Sequence, residues 1–237
     1  MTWNVWFGSW MREEREVALW EQLDALEPDV ICLQEVVPEH LLGAALTRRR
    51  ERGDWLSAES IHDYDVLLLS RLLPRSHERV ELPSCMGRAL ELARLPTQPP
   101  LTVATVHLES TRHEQAARIE QLGIIVEQLA GEPNVVLVGD MNFPPGDPAE
   151  ARVRGWTDAW IELRADEPGY TVDSQTNLMR RMTKPKPKRE RIDRVFVRGE
   201  AWKVTKIERL GMEPITPGDL STYVSDHFGL LVELSCA

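Results

Sequence analysis

The chain has 237 residues, 42% of them hydrophobic and 28% charged, with a formal net charge of −10. That balance fits a soluble α/β domain with a sizeable core, and no apolar stretch approaches the roughly 20 residues that span a bilayer. The acidic total argues against a protein that wraps long duplex nucleic acid with its whole surface. Three scattered cysteines, Cys32, Cys85 and Cys236, argue for reduced thiols and against a disulfide framework or a zinc site. Residues 1–4 carry neither a basic start nor an apolar run, so no signal peptide is expected and the expected setting is cytoplasmic.

In chain order, Thr2 to Trp6 reads as a strand. Residues 12–26 place Val17, Leu19, Trp20, Leu23 and Leu26 mostly on one helical face, and Pro28 stops that helix. Val30 to Leu33 reads as a buried strand ending in Gln34-Glu35, and a second helix is predicted over 38–50. Strands follow at 64–70, 78–82, 88–95 and 101–107. The stripe Ile119, Leu122, Val126 and Leu129 marks a helix over 112–130. Val135 to Val138 is another buried strand, and 156–163 a short helix. Residues 166–190 read as a long polar surface loop. Strands return at 192–197, 202–209 and 228–234. Nothing divides the chain, so residues 1–237 are expected to form a single catalytic domain.

Several apolar runs finish in, or run into, polar side chains: Trp3-Asn4, Leu33-Gln34-Glu35, Val106-His107 to Ser110, Val138-Gly139-Asp140-Met141-Asn142 and Ser225-Asp226-His227. Asp193 lies inside the strand 192–197. Singly, each has an ordinary structural explanation, such as a turn, a cap or a solvated strand end. Together they supply carboxylates, amides and imidazoles without a serine or cysteine nucleophile motif. Phosphodiester hydrolysis needs that inventory, because charge on nonbridging oxygens must be offset and a water oriented. Glu35 suits a hard divalent cation, Mg²⁺ or Mn²⁺. Asn4, Asn142 and His107 suit a phosphate, and His227 with Asp193 suits proton handling near neutral pH.

The ordered motifs resemble those of the endonuclease/exonuclease/phosphatase superfamily. Within it, His107-Leu108-Glu109-Ser110-Thr111-Arg112 and Arg191 to Phe196 are similar to segments of the 5′-tyrosyl-DNA phosphodiesterases. The resemblance implies an α/β four-layer αββα sandwich, with two mixed sheets face to face, helices outside and the site at one end. It implies Glu35 and Asp226 at the metal, Asp140 and Asn142 around the attacking water and phosphate, and His227 oriented by Asp193. Asn4, His107 and Asp226 complete the catalytic group, while Ser110 and Arg112 stand near the substrate. Three places depart from the pattern: Trp6 replaces an aspartate, Phe143-Pro144 follows Asn142 where those enzymes have an arginine nearby, and Val172 replaces a base-stacking aromatic.

Residues 180–191 hold seven Lys/Arg against one Glu, a local +6 on an acidic body. Lys184, Lys186 and Lys188 are therefore candidates to hold substrate phosphates, although a charge run is also what a solvated loop looks like. The expected partner is nucleic acid, single-stranded or at DNA ends, with no membrane and a monomeric enzyme. A small-molecule or lipid phosphoesterase, an abasic or general endonuclease, and a non-catalytic phosphate-binding module remain open alternatives.

Overall fold

A computed structural model describes residues 1–184, 186–216, 218 and 221–237. In chain order its elements begin with β1 (Thr2–Asn4), α1 (Arg12–Leu26), β2 (Val30–Val36), α2 (Pro38–Leu42) and α3 (Ala44–Glu51). Then come β3 (Trp55–Leu56), β4 (Asp65–Ser70), β5 (Ser76–Glu81), β6 (Ala89–Leu95), β7 (Leu101–His107) and α4 (Gln115–Gln128). The second half contains β8 (Val135–Asp140), β9 (Thr157–Asp158), α5 (Ala159–Arg164), β10 (Val172–Asp173) and α6 (Leu178–Thr183). It ends with β11 (Arg189–Glu190), β12 (Asp193–Arg198), β13 (Trp202–Leu210) and β14 (Gly229–Cys236).

Two six-stranded sheets carry the fold, in the orders β13-β14-β1-β2-β4-β3 and β5-β6-β7-β8-β12-β9. Both are mixed: β1 runs parallel to β2 and β7 parallel to β8, while the other pairs are antiparallel. Successive strand residues point to opposite faces, and the strands are apolar on both. Ile31, Leu33, Leu67 and Leu69 therefore meet Leu19, Trp20 and Leu23 of α1 on the outer face of the first sheet. Leu92, Ala104, Val106 and Leu137 meet Leu122 and Ile125 of α4 on the outer face of the second. Between the sheets, Cys32 and Leu68 pack with Val103, Val136, Val138 and Val195. Helix, sheet, sheet, helix is the resulting order of layers.

Several expected elements change shape. In α1 the buried stripe is Arg15, Leu19, Trp20 and Leu23, whereas Val17 is exposed, since two residues along a helix turn a side chain about 200° away from Arg15 and Leu19. The helix expected over 38–50 breaks at Gly43, whose backbone is extended. The stretch 166–190 is not a plain loop. It contains the β10–β11 pair, with Val172 opposite Glu190, and α6, whose first turn is capped where Arg180 N donates to Asn177 Oδ1 at 3.0 Å. Asparagine at such a cap satisfies an otherwise orphaned donor.

Register brings the polar strand ends together. His107 on β7 lies beside Asp140 on β8, and Asp140 lies beside Asp193 on β12. Gly139 makes this possible. Its φ is +136°, and a Cβ there would meet Val106 O at 1.9 Å, so any side chain would push β7 and β8 apart just below the site.

Candidate active site

The two sheets end at a common edge, where Asn4 bridges them. Its Nδ2 donates to Glu35 Oε1 at 3.0 Å and to Asp140 Oδ2 at 3.0 Å. Asp140 is buried; its Oδ1 accepts from Asn142 N at 2.9 Å. Asn142 adopts a left-handed φ of 52°, rare for a non-glycine residue. Its Nδ2 donates to Leu108 O at 2.9 Å and to Ser110 Oγ at 3.4 Å. Glu35 also has a positive φ, 60°, and sits where the pairing of β2 with β4 shifts register between Leu33 and Val36. Strained backbone of this kind costs roughly 1–3 kcal/mol and gathers at functional sites.

His227 Nδ1 donates to Asp193 Oδ2 at 2.9 Å, and both residues are buried. Burial works against an imidazolium, but Asp193, Asp140 and Asp226 outweigh it and raise the His227 pKa to about 9. His107 behaves in the opposite way. Burial, with Arg88 adding repulsion, holds its pKa well below the usual histidine range. Arg88 Nη1 lies 3.0 Å from His107 Nδ1. A guanidinium can only donate, so Nδ1 accepts and the proton sits on Nε2, 3.4 Å from Asp140 Oδ2. The site thus pairs one charged imidazole with one neutral imidazole.

Burial raises the Glu35 pKa, and the nearby Asp226 charge adds to the effect. Phe7 N donates to Glu35 Oε2 at 3.1 Å. Burial alone would also raise the pKa of Asp226, but His227, Lys184 and Arg180 lower it. Arg180 is buried, and its Nη1 donates to Asp226 Oδ2 at 2.8 Å, with Lys184 Nζ at 3.6 Å. Two carboxylates that feel one another's charge at a buried edge, both offering oxygens, fit a hard divalent cation. Asp140, Asp193 and His227 also present ligand atoms within 4.8 Å of one another. There His227 Nδ1 is committed to Asp193, as Asp226 Oδ2 is to Arg180.

Among the remaining sequence candidates, Ser110 is half-buried and its Oγ accepts from Arg88 Nη2 at 2.8 Å. Arg112 does not join this group. It lies exposed on the 3-10 turn that precedes α4, because Thr111, at φ 70°, turns the chain outward after Ser110. Lys186 is exposed, and Lys188 Nζ lies 3.2 Å from Glu190 Oε2.

Two arginines escaped the sequence reading. Arg88, just before β6, is buried, touches both His107 and Ser110, and lies 5.4 Å from the Tyr64 ring centroid. Arg15 is buried on α1 and donates to Val5 O, Gly8 O and Trp10 O at 3.0, 2.5 and 2.8 Å. It also stacks 4.6 Å over Trp6, and so holds the loop from which Phe7 reaches Glu35. The signal available for Arg15 was a charged residue at a stripe position four before Leu19. For Arg88 it was an arginine at the mouth of an apolar strand. As for the departures, Trp6 is buried and donates its N–H to Asn4 Oδ1 at 3.0 Å, while Val172 is fully buried and offers no face to a base.

The chain is 30% identical to tyrosyl-DNA phosphodiesterase 2 of Homo sapiens over 237 residues, covering 93% of this chain and 63% of that protein. Identity to the Mus musculus protein of that name is 28%, covering 99% of this chain and 65% of that one. The chain therefore spans a little under two thirds of the length of these curated relatives. The crystal structure of D. rerio TDP2 complexed with single strand DNA product superposes with a TM-score of 0.85 at 26% identity, covering 99% of this chain and 97% of that one. The human Nocturnin catalytic domain with bound sulfate shares the fold, with a TM-score of 0.73 at 18% identity, covering 95% of this chain and 87% of that one. Residues 1–227 match the family model described as Endonuclease/Exonuclease/phosphatase family, and the chain belongs to that family.

Proposed function

We propose that the protein is a divalent-cation-dependent phosphodiesterase that hydrolyses the bond between a tyrosine and the 5′ phosphate of DNA. The observation that carries this reading is the strand-end cluster of His107, Asp140, Asp193 and His227, with Glu35 joined to it through Asn4. The likeness to a tyrosyl-DNA phosphodiesterase structure complexed with single strand DNA product supports the choice of substrate.

Each residue has a role that follows from its protonation and partners. Asp140 takes a proton from the attacking water, since Asn4 and Asn142 N fix both of its oxygens and His227 already carries its proton. The imidazolium of His227 and the Nε2–H of His107 donate to nonbridging phosphate oxygens as charge grows on them. Arg88 orients His107 and Ser110. Glu35 and Asp226 are the proposed ligands of Mg²⁺ (or Mn²⁺), which when bound supplies further charge stabilisation at phosphorus. The P–O bond to tyrosine breaks and its electron pair stays on the phenolic oxygen. A phenol with a pKa near 10 leaves as phenolate without a strong general acid. DNA keeps the 5′ phosphate.

A substrate panel tests the proposal: 5′-tyrosyl single-stranded DNA, an abasic duplex and an inositol phosphate, each with Mg²⁺ or EDTA. Cleavage of the tyrosyl adduct above the other two is the expected result. Efficient cleavage of either of the others, with the tyrosyl end ignored, removes the substrate assignment. The same reading makes the partner DNA ends and the acting form a monomer, within one catalytic domain over residues 1–237. Among the described residues no helix is long and apolar enough to cross a membrane.

A further inference from the structure

A chain of contacts crosses the site from one charge environment to another. At one end Lys184 and Arg180 reach Asp226. From there the chain runs through His227 and Asp140 to His107, and on through Arg88 to Tyr64. Tyr64 and Gly87 line a narrow gap with Arg88 and His107. They also line a cleft of about 690 Å³, so Tyr64 and Gly87 stand between that cleft and the Arg88–His107 side of the site.

The cleft differs in chemistry from the basic end. Ile61, Tyr64 and Met86 give it apolar surface, while its charged lining is Asp63, Asp65, Glu91 and Arg79. The single guanidinium is already shared: Arg79 pairs with Asp65 at 2.9 Å, Glu91 at 2.9 Å and Glu81 at 2.7 Å. Glu91 is buried and also meets His77, which leaves Asp63, exposed at the rim beside His62, as the carboxylate open to solvent. A phosphodiester has two ester arms that leave phosphorus in different directions. The polyanionic arm belongs with Arg180, Lys184 and Lys186, because phosphates brought against uncompensated carboxylates are repelled. The other arm then has the cleft.

We propose that the cleft bounded by Ile61, Asp63, Tyr64 and Met86 is the leaving-group subsite, and that it accepts a peptide carrying positive charge on the tyrosine being released. This rests on the tyrosyl-DNA reading above and deepens it. The volume is within the range of ligand pockets and suits a few peptide side chains. The apolar surface takes the stem of a lysine or arginine, and Asp63 at the rim takes its head.

The test uses one oligonucleotide carrying four different 5′ adducts: tyrosine alone, and three tyrosyl pentapeptides containing two lysines, two serines or two glutamates. A unit charge brought to about 4 Å in water changes an interaction by about fivefold. Wild-type kcat/KM at low salt should thus favour the lysine adduct over the glutamate adduct by about tenfold or more, with the serine adduct between them. Asp63→Lys should shrink that ratio to about threefold or less, with each rate taken relative to the same variant's rate on the lone tyrosine adduct. Asp63→Asn should shrink it part-way, which guards against a folding defect in the charge reversal. Equal cleavage of the three peptides by wild type overturns the subsite while leaving the tyrosyl-DNA function standing. So does a ratio unchanged by both Asp63 variants. Failure to cut the lone tyrosine adduct overturns both.

Discussion

The polar edge of the sheets and the stretch from 166 to 191 were both read as functional from sequence, and they differ in how their side chains are held. On the sheet edge, His107, Asp140 and Asp193 sit side by side because three paired strands end at one level. Each is buried and fixed by a strand that cannot slip without exposing its apolar face. In the stretch 166–191, function and structure compete for the same charges. Arg189 pairs with Asp173 and Arg191 with Asp158, and Arg180 is buried against Asp226. A run of like charge in sequence becomes, once folded, a set of separate ion pairs. Position on a sheet fixes a side chain's neighbours more firmly than local charge density does.

The largest expected effect concerns the cation. EDTA should reduce cleavage of 5′-tyrosyl DNA to the uncatalysed background, and Mg²⁺ or Mn²⁺ should restore it. Glu35→Gln should lower kcat on the order of 10²–10³-fold with an unchanged thermal melt. A Glu35→Gln enzyme as fast as wild type at the same metal concentration would take Glu35 out of the cation site. Next in size is the imidazolium. His227→Ala should lower kcat by roughly 10²–10⁴-fold. The double variant with Asp193→Ala should be scarcely slower, because residues acting as a unit are non-additive. Losses that multiply in the cycle would mean that the 2.9 Å contact does not couple the pair in catalysis.

The legibility of the molecule follows the same division. Strands were visible because their apolar runs are buried on both faces, and the element ends at 107 and 140 coincide with the polar residues that matter. What one sequence does not carry is register. That His107 lies beside Asp140, or that β8 takes β12 rather than β9 as neighbour, depends on long-range pairing. Arg88 was passed over for this reason: its partners His107 and Ser110 are 19 and 22 residues away. Arg15 was hidden because a buried cation interrupts the apolar pattern by which a helix face is recognised. The small elements β10, β11 and α6 were missed because short strands rich in polar residues are specified by tertiary contacts and caps, not by periodicity.

A third prediction separates two arginines: Arg112, expected near the substrate from sequence, and Arg88, which the sequence reading passed over. Arg88 is buried on His107 and Ser110, and Arg112 is exposed. Arg88→Ala should therefore lower kcat/KM on the order of ten- to a hundredfold, the worth of charge-assisted contacts of roughly 1.5–3 kcal/mol. Arg112→Ala should stay within about threefold, as surface changes usually do. If the Arg112 variant lost more than the Arg88 variant, the segment 110–114 would have to close over substrate in a way its present outward turn does not show.

The smallest effect tests whether any part of the basic run remains available to substrate. Lys186 is exposed, whereas Lys188 is paired with Glu190 and Lys184 leans on Asp226. A lysine that neutralises a phosphate of single-stranded DNA contributes about 0.7 to the slope of log affinity against log salt. Lys186→Gln should flatten the salt dependence of KM on a 5′-tyrosyl oligonucleotide by about that amount and leave kcat alone. Lys188→Gln should do less, since its charge is already offset at 3.2 Å. Lys184→Gln should differ in kind: it removes a cation 3.6 Å from Asp226, so kcat should fall as well as the salt slope. A minimal aryl phosphodiester, too short to reach Lys186, provides the control, and on it only the Lys184 variant should be slower. Equal behaviour of the three variants on both substrates would mean that the run acts as diffuse charge, and the distinction drawn here between paired and unpaired lysines would fail.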